Sequence, residues 1–94
     1  MSRRYGKADD NQDGIVSGLR KAGCSVQILI SVGGGCPDLL VGRAGVNYLL
    51  EVKDENKPPS QRKLTPDQVT WHEKWRGQKA IVKNLDDALR VVGL

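Results

Sequence analysis

Two carboxylates and a lysine have the types and spacing that metal-assisted chemistry needs. The apolar runs 38–42 and 46–53 flank a short glycine-bearing loop, a pattern typical of a β-hairpin. If the turn centres between Ala44 and Gly45, Asp38 and Glu51 are equally far from it and face each other. Lys53 follows Glu51 by two residues and therefore points to the same face.

The Cβ atoms of two residues that face each other across a hairpin are about 4.5–5.5 Å apart, and two carboxylates at this distance repel unless a cation lies between them. Mg²⁺ binds carboxylate oxygens, backbone carbonyls and water, so Asp38, Glu51 and the Val52 carbonyl could hold one. Such an ion polarises a phosphoryl oxygen and activates water, and Lys53 could orient or deprotonate that water or stabilise developing charge. The alternative is a surface ion pair in which Lys53 only neutralises the acids, worth about 0–1 kcal/mol.

A second helix could bring a polar side chain to this face. Thr65 is a predicted N-cap, Pro66 takes the first helical position, and Gln68 follows three residues after Thr65, as in a capping box. Gln68 could instead reach the hairpin and bond a metal-bound water or a phosphate, and the sequence leaves both roles open. Trp71 and Trp75 share its helix face and are predicted to pack the helix on the sheet.

The remaining patterns complete an α-β-β-β-α-β-α order, which predicts a mixed α+β sheet with helices packed on it. The predicted elements are a helix that follows the acidic residues 9–13, strands over 24–31, 38–42 and 46–53, a helix over 65–76, a strand over 79–83 and a helix over 85–92.

Composition limits the class of protein. The 94 residues form one predicted domain, 1–94, and the formal net charge of +4 suits an anionic partner such as nucleic acid. The two cysteines, Cys24 and Cys36, form no CxxC motif and are predicted to be free thiols. Because no membrane span or secretory signal is visible, we expect a cytoplasmic location. The chain has no Phe, and its thin core favours a dimer.

Four sequence pieces in order resemble the VRR-NUC family of the PD-(D/E)XK nuclease superfamily, in its stand-alone, phage-type form. They are residues 35–39 with Pro37-Asp38, residues 51–53 as Glu-Val-Lys, residues 64–68 ending in Gln68, and Gly77 before the strand over 79–83. The superfamily's restriction-endonuclease-like αβββαβ core, here with a C-terminal helix, is similar to the element order predicted above.

This resemblance implies Mg²⁺- or Mn²⁺-dependent hydrolysis of DNA phosphodiester bonds. It implies catalytic roles for Asp38, Glu51, Lys53 and Gln68. The implied metal ligands are Asp38, Glu51 and the Val52 carbonyl. Family members often have a first-helix Glu, and the candidates for that role here are Asp9, Asp10, Gln12 and Asp13.

The resemblance also suggests a substrate and an assembly. By analogy we expect a homodimer that selects branched DNA, such as a four-way (Holliday) junction. The phage-type resemblance also implies that the protein works in a bacterial or phage-infected cell. The alternative is a DNA-binding module of the same fold without catalysis. Candidate DNA contacts, for which solvated surface is the default interpretation, are Arg3, Arg4, Lys7, Lys57, Arg62 and Lys63.

Overall fold

The computed structural model describes residues 9–94 and confirms the predicted fold class. Its elements are α1 (Gln12–Lys21), β1 (Ser25–Ile28), β2 (Leu39–Arg43), β3 (Val46–Val52), a 3₁₀ turn (Pro59–Gln61), α2 (Pro66–Lys74), β4 (Lys79–Val82) and α3 (Leu85–Val91). Their order matches the prediction, although β1 is shorter than expected and α2 ends at Lys74 rather than at Arg76.

The strands form one mixed sheet in the order β1-β2-β3-β4. The first three strands are antiparallel neighbours, and β4 pairs with β3 in parallel. A parallel neighbour requires a crossover, and the segment that contains α2 provides it. The crossover therefore starts at the end of β3, where Glu51 and Lys53 lie.

One face of the sheet carries the hydrophobic core. Even-numbered positions of β3 and odd-numbered positions of β2 point to this face, which α1 and α3 cover. The buried apolar residues are Ile15, Val16, Leu19, Cys24, Leu39, Val41, Leu50, Val52, Val82, Ala88 and Val92. Because the alternation is strict, Leu49, Glu51 and Lys53 must point to the opposite face.

Helix α2 does not belong to this core. It contains no buried residue, Trp71 is half-buried, and the Trp75 side chain is 44% exposed. The prediction that both tryptophans pack the helix on the sheet is therefore wrong for Trp75. Helix α2 instead lies beside the opposite face of the sheet, where its first turn meets Glu51 and Lys53.

Both cysteines are free thiols, with Cys24 in the core and Cys36 half-buried. Within residues 9–94, no helix has the length and apolar character needed to cross a membrane.

Candidate active site

The β2–β3 hairpin brings Asp38 and Glu51 together in the predicted register. Leu39 pairs with Leu50, so Asp38, directly before β2, lies beside Glu51 near the end of β3. The two-residue turn has positive φ at both Ala44 (52°) and Gly45 (80°), as a tight hairpin turn requires. The backbone N–H of Val52 donates to Asp38 Oδ2 at 2.7 Å and fixes that carboxyl at the strand end.

Burial and mutual repulsion make ionisation of these two carboxyls unfavourable. The pKa of Glu51 is raised to about 8; burial is the largest cause, the neighbouring Asp38 adds to the rise, and Lys53 opposes it. Burial also raises the pKa of Asp38, against the opposing effect of the Val52 N–H. The two carboxyls lie side by side, so without a cation the pair is best accommodated by holding a proton.

Lys53 and Gln68 complete a connected polar cluster around Glu51. Lys53 Nζ donates to Gln68 Oε1 at 3.0 Å, and Gln68 Nε2 donates to Glu51 Oε2 at 3.1 Å. Lys53 Nζ also lies 3.7 Å from Glu51 Oε2, and its side chain is only 12% exposed. The ammonium is therefore fixed beside the carboxylates by an amide and is not a mobile surface charge.

Gln68 forms the predicted capping box and also reaches the hairpin, where it contacts Lys53 and Glu51. Its bond to a metal-bound water or a phosphate stays a prediction. Its Oε1 accepts a hydrogen bond from the Thr65 N–H at 2.9 Å, and its own N–H donates to Thr65 Oγ1, which completes a capping box. The same Oε1 accepts from Lys53. A carbonyl oxygen has two lone pairs, so one amide both caps the N-terminus of α2 and orients Lys53.

The loop formed by Gly33, Gly34 and Gly35, called the glycine loop below, holds the start of α2 in place. A Cβ on Gly35 would collide with the Asp67 carbonyl oxygen and lie 2.9 Å from the Gln68 nitrogen, so only glycine fits this contact. Gly35 also has φ of +82°, which an L side chain rarely adopts. The loop backbone therefore packs directly on the turn that carries Gln68.

The first-helix candidates separate into different environments. The Asp9 carboxylate is close enough to raise the pKa of both Asp38 and Glu51, and its Oδ2 accepts from the Asp54 N–H at 3.2 Å. Gln12 is buried, and its Oε1 has no hydrogen-bond partner among the described residues. Asp10 pairs with Lys57 at 3.3 Å, and Asp13 is exposed. Asp9 is thus the acid of this set that acts electrostatically on the site.

The candidate DNA contacts also differ. Arg3, Arg4 and Lys7 lie outside the described residues. Lys57 forms an ion pair with Asp10, whereas Lys63 is exposed. Arg62 is half-buried. These residues therefore cannot be treated as one equivalent basic patch.

The donor set suits a hard divalent cation that keeps water or substrate oxygens among its ligands. Glu51 Oε1 is buried and has no hydrogen-bond partner among the described residues, which leaves a free acceptor beside Asp38. Within residues 9–94, no three His, Cys, Asp or Glu side chains are grouped as metal ligands. Two carboxylates completed by a carbonyl and solvent fit Mg²⁺, which keeps several waters, better than a site made entirely of side chains.

Two residues that lie close to the site, His72 and Cys36, were not predicted to belong to it. The pKa of His72 is lowered, mainly by burial and further by the positive charges of Lys79 and Lys53. Its Nε2 is buried and has no hydrogen-bond partner among the described residues. The pKa of the Cys36 thiol is raised, mainly by burial and further by the negative charges of Glu51 and Asp38. The signals were available: His72 lies one turn after Gln68, and Cys36 lies two residues before Asp38.

Comparison with known proteins gives one similarity that covers most of the chain. No family model and no curated protein matches it. Among solved structures, a chain described as "VRR_NUC domain" superimposes with a TM-score of 0.63 at 30% sequence identity. The match covers 88% of this chain and 92% of that one, so it includes both the sheet and the helices.

Proposed function

We propose that this chain, which belongs to the VRR_NUC domain family, is a metal-dependent DNA endonuclease with a PD-(D/E)XK active site. The observation that carries the proposal is the cluster at the start of the crossover, in which Gln68 joins Lys53 to Glu51 by hydrogen bonds. Asp38 lies beside them and accepts from the Val52 N–H. A surface ion pair between Lys53 and the acids has no need of buried carboxylates or of an amide that positions the lysine.

Asp38, Glu51 and the Val52 carbonyl would hold the cation, Mg²⁺ or Mn²⁺. When bound, the ion supplies a Lewis acid for a phosphoryl oxygen and lowers the pKa of a bound water. Glu51 Oε1 has no hydrogen-bond partner among the described residues, and the pKa of Glu51 is raised. Both support this assignment, because a divalent cation would satisfy the acceptor and stabilise the ionised pair.

The chain's own residues would orient the reaction. Lys53 is fixed by Gln68 and Glu51, so its ammonium can face the scissile phosphate with little loss of side-chain entropy. A positioned cation at this point stabilises charge that develops on the phosphoryl oxygens. Gln68 acts through Lys53 and Glu51, and the glycine loop maintains its position.

Branched DNA and a homodimer form the finer part of the proposal. A two-fold dimer would present two such sites to two strands of a four-way junction. The thin core and the positive net charge support this arrangement, because a second subunit would bury additional surface and DNA is an anionic partner.

Cleavage of end-labelled DNA tests the proposal directly. Four-way junction, flap, linear duplex and single strand would be incubated with wild type, Asp38→Ala and Lys53→Ala in Mg²⁺, Mn²⁺ or EDTA. We expect metal-dependent cleavage by wild type and at least about 10²-fold slower cleavage by each variant. Circular dichroism would verify that both variants fold.

Two results would contradict the proposal. Unchanged cleavage by folded Asp38→Ala would exclude this active site. Binding that depends on salt, with no cleavage of any substrate in either metal, would favour the non-catalytic DNA-binding module. Sedimentation of the protein with and without junction would test the dimer separately.

A further inference from the structure

The two tryptophans of the chain form an exposed stack on α2. The ring centroids of Trp71 and Trp75 are 4.9 Å apart, and the ring planes differ by 14°. The rings of His72 and Trp71 pack edge to face. Trp75 Nε1 lies against Gly77 so closely that a Cβ added to Gly77 would be 2.8 Å from it. The indoles are therefore held in place although Trp75 is 44% exposed.

A groove of about 380 Å³ runs beside this stack. Its lining combines the two indoles with glycine backbone and polar side chains, from Gly34, Asp67, Thr70, Trp71, Lys74 and Trp75. A flat ring could lie against the indoles while its polar edge met the backbone and the hydroxyl. Such a mixture is typical of a site for a planar heterocycle and not of an apolar contact surface.

The groove borders the candidate active site, because Asp67 in its lining directly precedes Gln68. Trp71 and Trp75 follow Gln68 by three and seven residues, which correspond to about 4.5 and 10.5 Å along the helix axis. Gln68 itself contacts Lys53 and Glu51. A nucleotide strand that passes through the site would therefore reach the tryptophans within a few nucleotides.

The charge around the groove favours a nucleic acid strand on one side. Lys74, Arg76 and Lys79 lie at the C-terminal end of α2 and just beyond it, where Lys79 Nζ donates to the Trp75 carbonyl. Asp67 lies at the opposite end and would repel phosphate. The backbone of a bound strand would therefore follow the basic end, and its base would enter the groove.

The groove offers too little apolar surface for a stable protein interface. The apolar side chains of the lining are two tryptophans, each of which buries at most about 150–250 Å². A stable interface needs about 800 Å² from each partner. The observations therefore favour a nucleobase over a second copy of the chain as the occupant.

We propose that Trp71 and Trp75 form a stacking platform for an unpaired nucleobase of the DNA substrate, next to the cleavage site. The inference rests on the proposed function, because DNA is the ligand that the active site would bring to this groove. It gives a physical basis for preferring DNA with unpaired bases, since a base inside a duplex is already stacked on both faces.

Intrinsic fluorescence tests the platform, because Trp71 and Trp75 are the only two tryptophans of the chain. The wild-type protein would be titrated in EDTA with a single-stranded oligonucleotide, a blunt duplex and an abasic oligonucleotide of equal length. We expect strong quenching by the single strand and weak quenching by the duplex and by the abasic chain, which has the same phosphates without bases.

A matched pair of variants separates stacking from helix stability. Trp75→Leu keeps an apolar side chain and removes the ring, and we expect about 5- to 150-fold weaker binding of the single strand, the range for one lost stacked base. Val69→Ala truncates another exposed side chain of α2 outside the groove lining and should bind like wild type. Equal thermal unfolding of both variants would exclude a folding effect.

Three results would overturn the inference. They are equal quenching by abasic and base-containing strands, unchanged single-strand affinity of Trp75→Leu, and tryptophan fluorescence that changes with protein concentration alone. The last result would assign the stack to a contact between two copies. Cleavage is measured separately: quenching without cleavage would refute the proposed function alone, and metal-dependent cleavage without quenching would refute the platform alone.

Discussion

At the scale of single residues, Gln68 connects folding with the proposed chemistry. Its Oε1 accepts from the Thr65 N–H and from Lys53 Nζ, while its Nε2 donates to Glu51. The helix cap and the lysine therefore share one acceptor. The two roles can be separated, because Thr65 Oγ1 contributes only to the cap.

We expect Gln68→Ala and Thr65→Ala to lower the free energy of unfolding by similar amounts, about 0.5–2 kcal/mol. Only Gln68→Ala should also slow cleavage, by about 10- to 100-fold, because Lys53 loses the partner that orients it. Urea unfolding and single-turnover cleavage of the same preparations measure the two effects. Equal cleavage rates for the two variants would show that Gln68 is only a capping residue.

Glu51 connects pH with stability. Its pKa rises from 4.5 to about 8 on folding, so below pH 4.5 both states are protonated and burial carries no ionisation cost. Between these values the unfolded state releases the proton and the folded state keeps it. The free energy of unfolding therefore falls as pH rises from about 4.5 to about 8.

We expect Glu51→Gln in EDTA to raise the Tm at pH 8 by at least about 5 °C and to change it much less at pH 5. The amide removes the ionisation cost while an oxygen acceptor for Gln68 Nε2 is kept. Mg²⁺ should raise the Tm of wild type at pH 8 but not that of the variant, because the cation favours the ionised carboxylates. Calorimetry that gave the same Mg²⁺ shift for both proteins would contradict this assignment of the metal site.

At the scale of elements, the site depends on one contact between a loop and a helix. The glycine loop supports the first turn of α2 through backbone atoms of Gly35, Asp67 and Gln68. Helix α2 buries no side chain of its own, so core packing cannot replace this contact. The position of Gln68 is therefore sensitive to a single methyl group.

We expect Gly35→Ala to slow cleavage by at least about 10-fold, because the added methyl displaces the Asp67–Gln68 turn from Lys53. Gly23→Ala is the matched control: its φ is also positive, at +96°, but a Cβ there meets no atom within 4 Å, and Gly23 lies outside both the active site and the groove. Both variants should lose about 1–2 kcal/mol of stability from backbone strain. Similar cleavage by the two would contradict the positioning role of the loop.

At the scale of the whole molecule, the net charge of +4 supports binding of DNA. The lysines of the chain, however, are not equally available to bind phosphate. Lys57 is already neutralised by Asp10 at 3.3 Å, whereas Lys63 is exposed. Lysine contributes to binding mainly by releasing counterions from phosphates. A cation that keeps its ion pair in the complex contributes less.

We expect Lys63→Ala to reduce the slope of log K against log salt by about one and Lys57→Ala to reduce it by clearly less. Filter binding or anisotropy of duplex DNA in EDTA, at several salt concentrations, gives these slopes. A larger effect of Lys57 would show that its bond to Asp10 breaks when DNA binds.

Much of the fold and part of the site were predictable because they depend on local patterns. The element order, the hairpin register that places Asp38 beside Glu51 and the capping box of α2 follow from periodicity, turn residues and fixed spacing. Strand alternation then places Lys53 on the same face as Glu51. These relations involve residues close in sequence or joined by one tight turn, so few arrangements compete with them.

Tertiary structure alone decided the contacts between distant segments. It placed Gly35 against Gln68, separated Asp9 from its acidic neighbours, and left the tryptophan stack exposed instead of packing it on the sheet. A helical stripe shows which side chains share a face, but not whether another element covers that face. Coverage depends on how the crossover lies across the sheet, and that is determined by the packing of the whole chain.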